Sequence, residues 1–281
     1  MIPGPLEYYR PTRWDEARQV FQQLIQAGRT PRYALGGTEL ITMARTSQLS
    51  FSDVIDLKRI PEVMTQDQDG DWITWGAGLP LGRIAALDRW PVLTATVDRV
   101  ADHTSREHIT LGGNGFSLLP YKEAMLPFML VDHAEATLAT GAGLVTGRLP
   151  DYFDGTWRVA SEDFLVSLRV RESEVRNMRF RSFKLTRLDW IDYPLVTIVA
   201  VRHPTGEIRA AFAGWGSAPL VSAEVNRVLS DTSRSPGARA AAAIGAMPVK
   251  PLDDVHGSAA YRAFVTEYTL ARMIGELEAS S

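Results

Sequence analysis

Leu35-Gly36-Gly37-Thr38-Glu39-Leu40 and Thr110-Leu111-Gly112-Gly113-Asn114 are two short double-glycine loops, each following a hydrophobic segment and each flanked by threonine. A glycine pair admits positive φ and lets a ligand approach backbone amides with no Cβ in the way. Together the loops predict a clamp on a long anionic ligand such as a dinucleotide pyrophosphate, offering it bare amides and a hydroxyl. Taken singly, each reads equally well as an ordinary strand-to-helix turn, with Asn114 left-handed and Thr110 satisfying a local amide. Neither loop fits the standard nucleotide signatures: no Gly-Lys-Ser or Gly-Lys-Thr ends the first, and no G-x-G-x-x-G precedes a long helix.

Working outward, the order is helix, strand, glycine loop, helix, strand. The first helix takes Thr12 as N-cap, has Asp15 and Glu16 in its first turn and Ala17, Val20, Phe21, Leu24 and Ile25 at helical spacing, and ends at Gly28. Pro31 to Ala34 reads as a strand, Leu40 to Arg45 as a helical turn, and Asp53 to Leu57 as a buried strand. Trp72 to Gly78 alternates as a strand closed by glycine, and Leu81 to Leu87 is helical. Met125 to Val131 is expected to be a buried helix, and Ala136 to Ala139 pairs with Leu144 to Arg148 across Gly141-Ala142-Gly143. Beyond Leu165 the composition changes. Val166 to Arg171 and Asn177 to Phe183 alternate as exposed-edge strands, and Leu195 to Arg202 pairs with Ile208 to Ala213 across His203-Pro204-Thr205-Gly206. An alanine-rich helix, Ala238 to Ile244, precedes a last helix with Tyr261, Phe264, Val265 and Tyr268 on its apolar face. The pattern is α+β rather than strict βαβ alternation, with a second, smaller domain beginning near Glu172.

The 281 residues are 45% hydrophobic, enough to bury a substantial core in one large domain or two of ordinary size. A net charge of -3, from 30 Lys and Arg against 33 Asp and Glu spread along the chain, gives no footprint for nucleic acid. With no cysteine the chain carries no disulfide, thiolate zinc site or iron-sulfur cluster of its own, so cluster chemistry belongs to a partner. Met1-Ile2-Pro3-Gly4-Pro5 lacks a basic segment with an apolar run behind it, and no stretch approaches the ~20 apolar residues of a membrane span, which gives the expectation of a cytoplasmic protein. The histidines His103, His108, His133, His203 and His256 are dispersed, and His103 and His108 miss the i, i+4 spacing of a helical metal site. No G-x-S-x-G offers a serine nucleophile, and Asp253-Asp254 reads as a pair of solvated turn carboxylates.

The first loop and the stretch Ser105-Arg106-Glu107-His108-Ile109-Thr110-Leu111-Gly112-Gly113-Asn114 together resemble the paired FAD loops of the flavoprotein (medium) subunit of the molybdenum hydroxylases, the family of carbon monoxide dehydrogenase, xanthine dehydrogenase and 4-hydroxybenzoyl-CoA reductase. Further matches keep the family's order: Asp56-Leu57 before Ile60-Pro61-Glu62, Gly76-Ala77, Asp151-Tyr152-Phe153 with Gly155, Phe183-Lys184 with Arg187 and Asp192, Gly214 to Pro219, and Gly257-Ser258 with Tyr261-Arg262. The resemblance covers nearly the whole chain.

It implies a two-lobed FAD-binding domain of the PCMH/VAO type over residues 1–172, with lobes of about 1–57 and 58–172, followed by a small α+β C-terminal domain with an antiparallel sheet over 173–281. Leu35, Gly36, Gly37, Thr38 and Glu39, with Ser105, Thr110, Leu111, Gly112, Gly113 and Asn114, become the cofactor loops. Glu123 falls near the family's FAD-contacting Asp, although Gly115 to Lys122 departs from the small residues usual before it. Lys184, Asp192 and Tyr193 fall in the segment that approaches the flavin ring. There a cation would stabilise the anionic reduced ring and an aromatic could cover one face. Without the resemblance, Lys184 reads as a solvated strand lysine, Tyr193 as a core aromatic before Pro194, and Arg187 with Asp192 as a surface pair. The implied function is electron transfer by FAD within a complex whose large subunit holds molybdopterin and whose small subunit holds [2Fe-2S], the assembly being a dimer of heterotrimers. A stand-alone FAD oxidoreductase and a non-catalytic scaffold that has lost FAD are the alternatives.

Overall fold

The computed structural model describes residues 4–188 and 191–279; the N-terminal reading of Met1 to Pro3 lies outside them. The chain begins with β1 (Glu7–Tyr9), α1 (Trp14–Gln26), β2 (Pro31–Ala34), α2 (Thr38–Arg45) and β3 (Asp53–Asp56). Its three strands form a parallel sheet in the order β1-β3-β2. Ala17, Phe21 and Leu24 on the inner face of α1 pack with Ile55, Leu57 and Ile60 below the sheet. The helix starts at Trp14 with Arg13 as N-cap, and the Thr12 amide donates to the Glu16 carboxylate at 3.0 Å. A side chain reaching back from the first turn therefore closes this end, and the Thr12 hydroxyl does not.

A second sheet is antiparallel and five-stranded, in the order β4-β5-β8-β6-β7, from β4 (Gln66–Asp69), β5 (Trp72–Gly76), β6 (Glu135–Thr140), β7 (Gly143–Arg148) and β8 (Phe164–Arg171). The expectation of an exposed edge at Val166 to Arg171 is corrected: β8 pairs with β5 on one side and β6 on the other. Its alternating arginines mark a face and not an edge, for Arg169 and Arg171 lie 4.4 and 4.8 Å over the Trp72 ring. The expected helix over Met125 to Val131 is also corrected, into two 3-10 turns, Glu123–Met125 and Phe128–Leu130. Pro127 has no amide for a continuous i→i−4 ladder, yet the apolar reading holds, since Phe128 wedges edge-on against Trp75 and Trp90 at 5.7 and 5.2 Å.

The third sheet is antiparallel and four-stranded, in the order β12-β11-β10-β9, from β9 (Arg179–Thr186), β10 (Pro194–Arg202), β11 (Ile208–Ala213) and β12 (Leu220–Val221). The helices Ala223–Leu229, Pro236–Gly245 and Ala259–Ala279 cover one side of it. The last helix turns a different face inward than its aromatics suggest. Val265, Leu270, Met273, Ile274 and Leu277 are buried while Tyr261, Phe264 and Tyr268 are exposed. The buried stripe includes Arg262, whose guanidinium donates to the carbonyls of Leu195, Gly214 (2.7 Å) and Leu252 (3.1 Å) and to Asp254 (2.8 Å). A polar residue occupies a core position because each of its three guanidinium nitrogens has an acceptor there. Asp254 is correspondingly an anchor rather than a solvated turn carboxylate.

Candidate cofactor cleft

The first glycine loop leaves β2 and enters α2, with Gly37 as N-cap in the left-handed region at φ 72. Gly36 is required by a different constraint, because a Cβ there would overlap the backbone carbonyl of His108, so the two glycine loops touch. Lys58 braces the first loop from behind, donating to the Leu35 carbonyl at 2.8 Å while paired with the buried Asp56 at 3.0 Å. The Tyr8 hydroxyl donates to the other Asp56 oxygen. Burial alone would raise the Asp56 carboxyl, but the bonds from Tyr8 and Lys58 outweigh it and hold the group below the usual carboxylate range. Among the described residues the N–H groups of Gly36, Gly37, Thr38 and Glu39 have no protein acceptor. Consecutive free amides at a helix N-terminus form an anion site.

The second loop is built on the opposite principle, and the expectation of bare amides fails there. Leu111 N donates to Leu79 O (3.0 Å), Gly112 N to Ala77 O (2.7 Å), Gly113 N to the Thr110 hydroxyl (3.1 Å) and Asn114 N to Thr110 O (2.8 Å). Its glycines serve packing, since a Cβ on Gly112 would stand 2.7 Å from the Ala77 Cβ. Asn114 is not left-handed; its side-chain oxygen accepts from Ala124 N at 2.9 Å and thereby ties the loop to the Glu123 turn. The Ser105 hydroxyl is held by Asp102 at 2.8 Å.

Elsewhere in the cleft, Glu123 and Lys184 are both only 5% exposed at the side chain. Lys184 Nζ donates to Arg99 O at 2.9 Å and lies 3.4 Å from Glu123 Oε2, while Thr197 Oγ1 donates to Glu123 Oε1 at 2.6 Å. The solvated-lysine reading is thereby excluded. Tyr193 is half-exposed and stacks on Tyr121 with ring centroids 5.2 Å apart. Burial pushes the Tyr121 phenol up to about 12 and raises that of Tyr193 as well. Asp192 accepts from the Tyr193 amide at 2.7 Å and Arg187 donates to the Val255 carbonyl, so neither enters the surface pair their spacing suggested.

One cavity of about 1300 Å³ is lined by Leu35 to Glu39, Ser105, Thr110, Gly112 to Asn114, Glu123, Lys184, Asp192 and Tyr193. Of the residues singled out from sequence, Leu111 alone is absent from the lining, being buried in the core. Sequence reading missed Asp102, Phe116, Ser117, Lys122, Trp157 and Leu165, which also line it. Phe116 stacks on Trp157 at 4.6 Å, and Trp157 Nε1 donates to Gly115 O at 2.9 Å. No local pattern marks two aromatics so distant in sequence as partners. Among the described residues no group of three or more His, Cys, Asp or Glu could hold a metal, and no helix is long and apolar enough to cross a membrane. Free amides and a cleft of this volume fit a dinucleotide.

Residues 4–170 match the family described as the FAD binding domain in molybdopterin dehydrogenase, and the chain belongs to that family. The carbon monoxide dehydrogenase medium chain of Afipia carboxidovorans is 25% identical to it over 290 residues, covering 99% of each. Among solved structures, carbon monoxide dehydrogenase from Hydrogenophaga pseudoflava, in a form lacking the Mo-pyranopterin moiety of the molybdenum cofactor, superposes with a TM-score of 0.88 at 23% identity, over 99% of each chain. Quinoline 2-oxidoreductase from Pseudomonas putida 86 superposes with a TM-score of 0.83 at 20% identity, covering 99% of this chain and 98% of that one. FAD is accordingly the cofactor of this chain.

Proposed function

We propose that the chain is the FAD-carrying electron-transfer subunit of a molybdenum hydroxylase complex, collecting electrons from a small [2Fe-2S] subunit and passing them to an external acceptor. A large molybdopterin subunit oxidises the substrate, and a dimer of heterotrimers in the cytoplasm is the proposed assembly. The observation that carries this reading is the single cavity shared by the free amides of Gly36 to Glu39 and the buried Lys184–Glu123 pair. Bound FAD supplies a centre that accepts and releases electrons. The chain's own residues do the placing. The amides of residues 36 to 39 receive the diphosphate, the packed second loop walls the cleft, and Lys184, Asp192 and Tyr193 border the flavin ring. Within this reading residues 1–172 form the FAD-binding domain, with lobes of about 1–57 and 58–172, and 173–281 the C-terminal domain. The three sheets, drawn from residues 7–56, 66–171 and 179–221, support that division.

Co-expression with its molybdopterin and [2Fe-2S] partners tests the reading. A complex with one FAD per copy of this chain, whose flavin is reduced when substrate is added, is expected. A purified complex without flavin absorbance, or substrate turnover by this chain alone, overturns it.

A further inference from the structure

A dinucleotide brings a negative diphosphate into the cleft, and the cations lining the cavity are Arg32, Lys122 and Lys184. Lys184 is committed to Glu123 and to the Arg99 carbonyl. Arg32 stands at an exposed position of β2. Lys122 differs from both. Among the described residues the lysine ion pairs are those of Lys58 and Lys184, and Lys122 forms none; its ammonium donates to the Leu119 carbonyl at 3.2 Å. Its backbone is left-handed, at φ 39 and ψ 44, a conformation that a Cβ disfavours. Burial pulls its pKa down against the opposing charge of Glu39. A half-buried cation with no ion pair, on a strained backbone, is destabilising for the empty chain, and such strain collects at ligand sites.

The segment that carries Lys122 is itself strapped across the cleft. Glu39, in the first turn of α2 beside the free amides, accepts from the Ser117 hydroxyl and, at 2.7 Å, from Leu118 N. The Ser117 hydroxyl oxygen in turn accepts from Leu119 N at 3.0 Å. A carboxylate with both oxygens occupied in this way is poorly suited to touch a phosphate, but it is well placed to hold residues 117 to 122 over one.

We propose that Lys122 is the counter-charge to the diphosphate of the cofactor, and that Glu39 is the positioning residue that latches the strap bearing it. This rests on the cleft being the FAD site. The test compares the full chain with Lys122→Gly and Lys122→Arg by titration with FAD and with riboflavin, which lacks phosphate, and by melting the FAD-free proteins. Lys122→Gly removes charge and strain together. It is expected to bind FAD about 10-fold more weakly, to bind riboflavin as the parent does, and to melt no lower than the parent. Lys122→Arg is expected to stay within about 3-fold of the parent for FAD, because it keeps the charge. Unchanged FAD affinity in Lys122→Gly overturns the proposal while leaving the cleft as the FAD site. So does parallel loss of FAD, riboflavin and melting temperature, which marks a structural role. A parent chain that binds neither flavin overturns both readings. For the latch, Glu39→Ala is expected to weaken FAD binding and to expose the Leu118 amide to hydrogen exchange; an unaltered Leu118 exchange rate overturns that part.

Discussion

Gly36 and Arg262 show how much a single residue can owe to a distant backbone atom. Gly36→Ala drives a Cβ into the His108 carbonyl, so the two loops must separate. Its expected cost is about 1–3 kcal/mol of stability with loss of bound flavin, read by denaturant melts and flavin content. Arg262→Ala leaves the Leu195, Gly214 and Leu252 carbonyls and the Asp254 carboxylate short of a donor. It is expected to lose about 3 kcal/mol in urea unfolding, with Arg262→Lys intermediate because one ammonium cannot reach all four acceptors. At this scale the sequence located the glycine loops but could not tell their roles apart. Whether an amide is free depends on where Ala77 O and Leu79 O come to lie, and those belong to the turn that follows β5.

At the scale of elements, periodicity was a good guide to strands and a poorer one to which face is buried. The hairpins around Gly141 to Gly143 and His203 to Gly206 form where alternation and turn residues agree. The last helix misleads because its inward stripe is partly polar, with Arg262, Thr266 and Thr269 buried and the Thr266 hydroxyl donating to the Arg262 carbonyl, while aromatics face outward. The turn from β3 into Leu57–Arg59 carries a pH prediction. Asp56 is held below the ordinary carboxylate range, so its folded form binds a proton less readily than its unfolded form. Its contribution to stability is therefore present above the unfolded value and lost as pH falls through the folded one. Urea midpoints of the parent are expected to fall below about pH 4, more steeply than those of Asp56→Asn, whose plateau is lower at neutral pH. Equal slopes for the two would show that Asp56 does not carry the effect.

At the scale of the whole molecule, three sheets meet around one cleft, and a buried ion pair links the third to it. Lys184 on β9 and Thr197 on β10 both reach Glu123, and Lys184 also reaches Arg99. Lys184→Met strands a buried carboxylate and is expected to cost about 3 kcal/mol, whereas Lys184→Met combined with Glu123→Leu recovers much of it. The double variant separates structural from electronic roles: its stability returns, and if Lys184 tunes the flavin its reduction potential stays lowered. The family and the α+β fold were legible because many short motifs keep their order along the chain. The pairing of Lys184 with Glu123 was not, since each reads alone as an ordinary polar residue and only the docking of β9 against the first part of the chain brings them together.

The brace behind the first loop runs from the Tyr8 hydroxyl to Asp56, from Asp56 to Lys58, and from Lys58 to the carbonyl of Leu35. Strand β1 is thus mechanically part of the proposed cofactor cleft, although none of it lines the cavity. If the cleft holds FAD as proposed, trimming the N-terminus past Tyr8 is expected to lower flavin retention and not merely yield, read as flavin absorbance per chain.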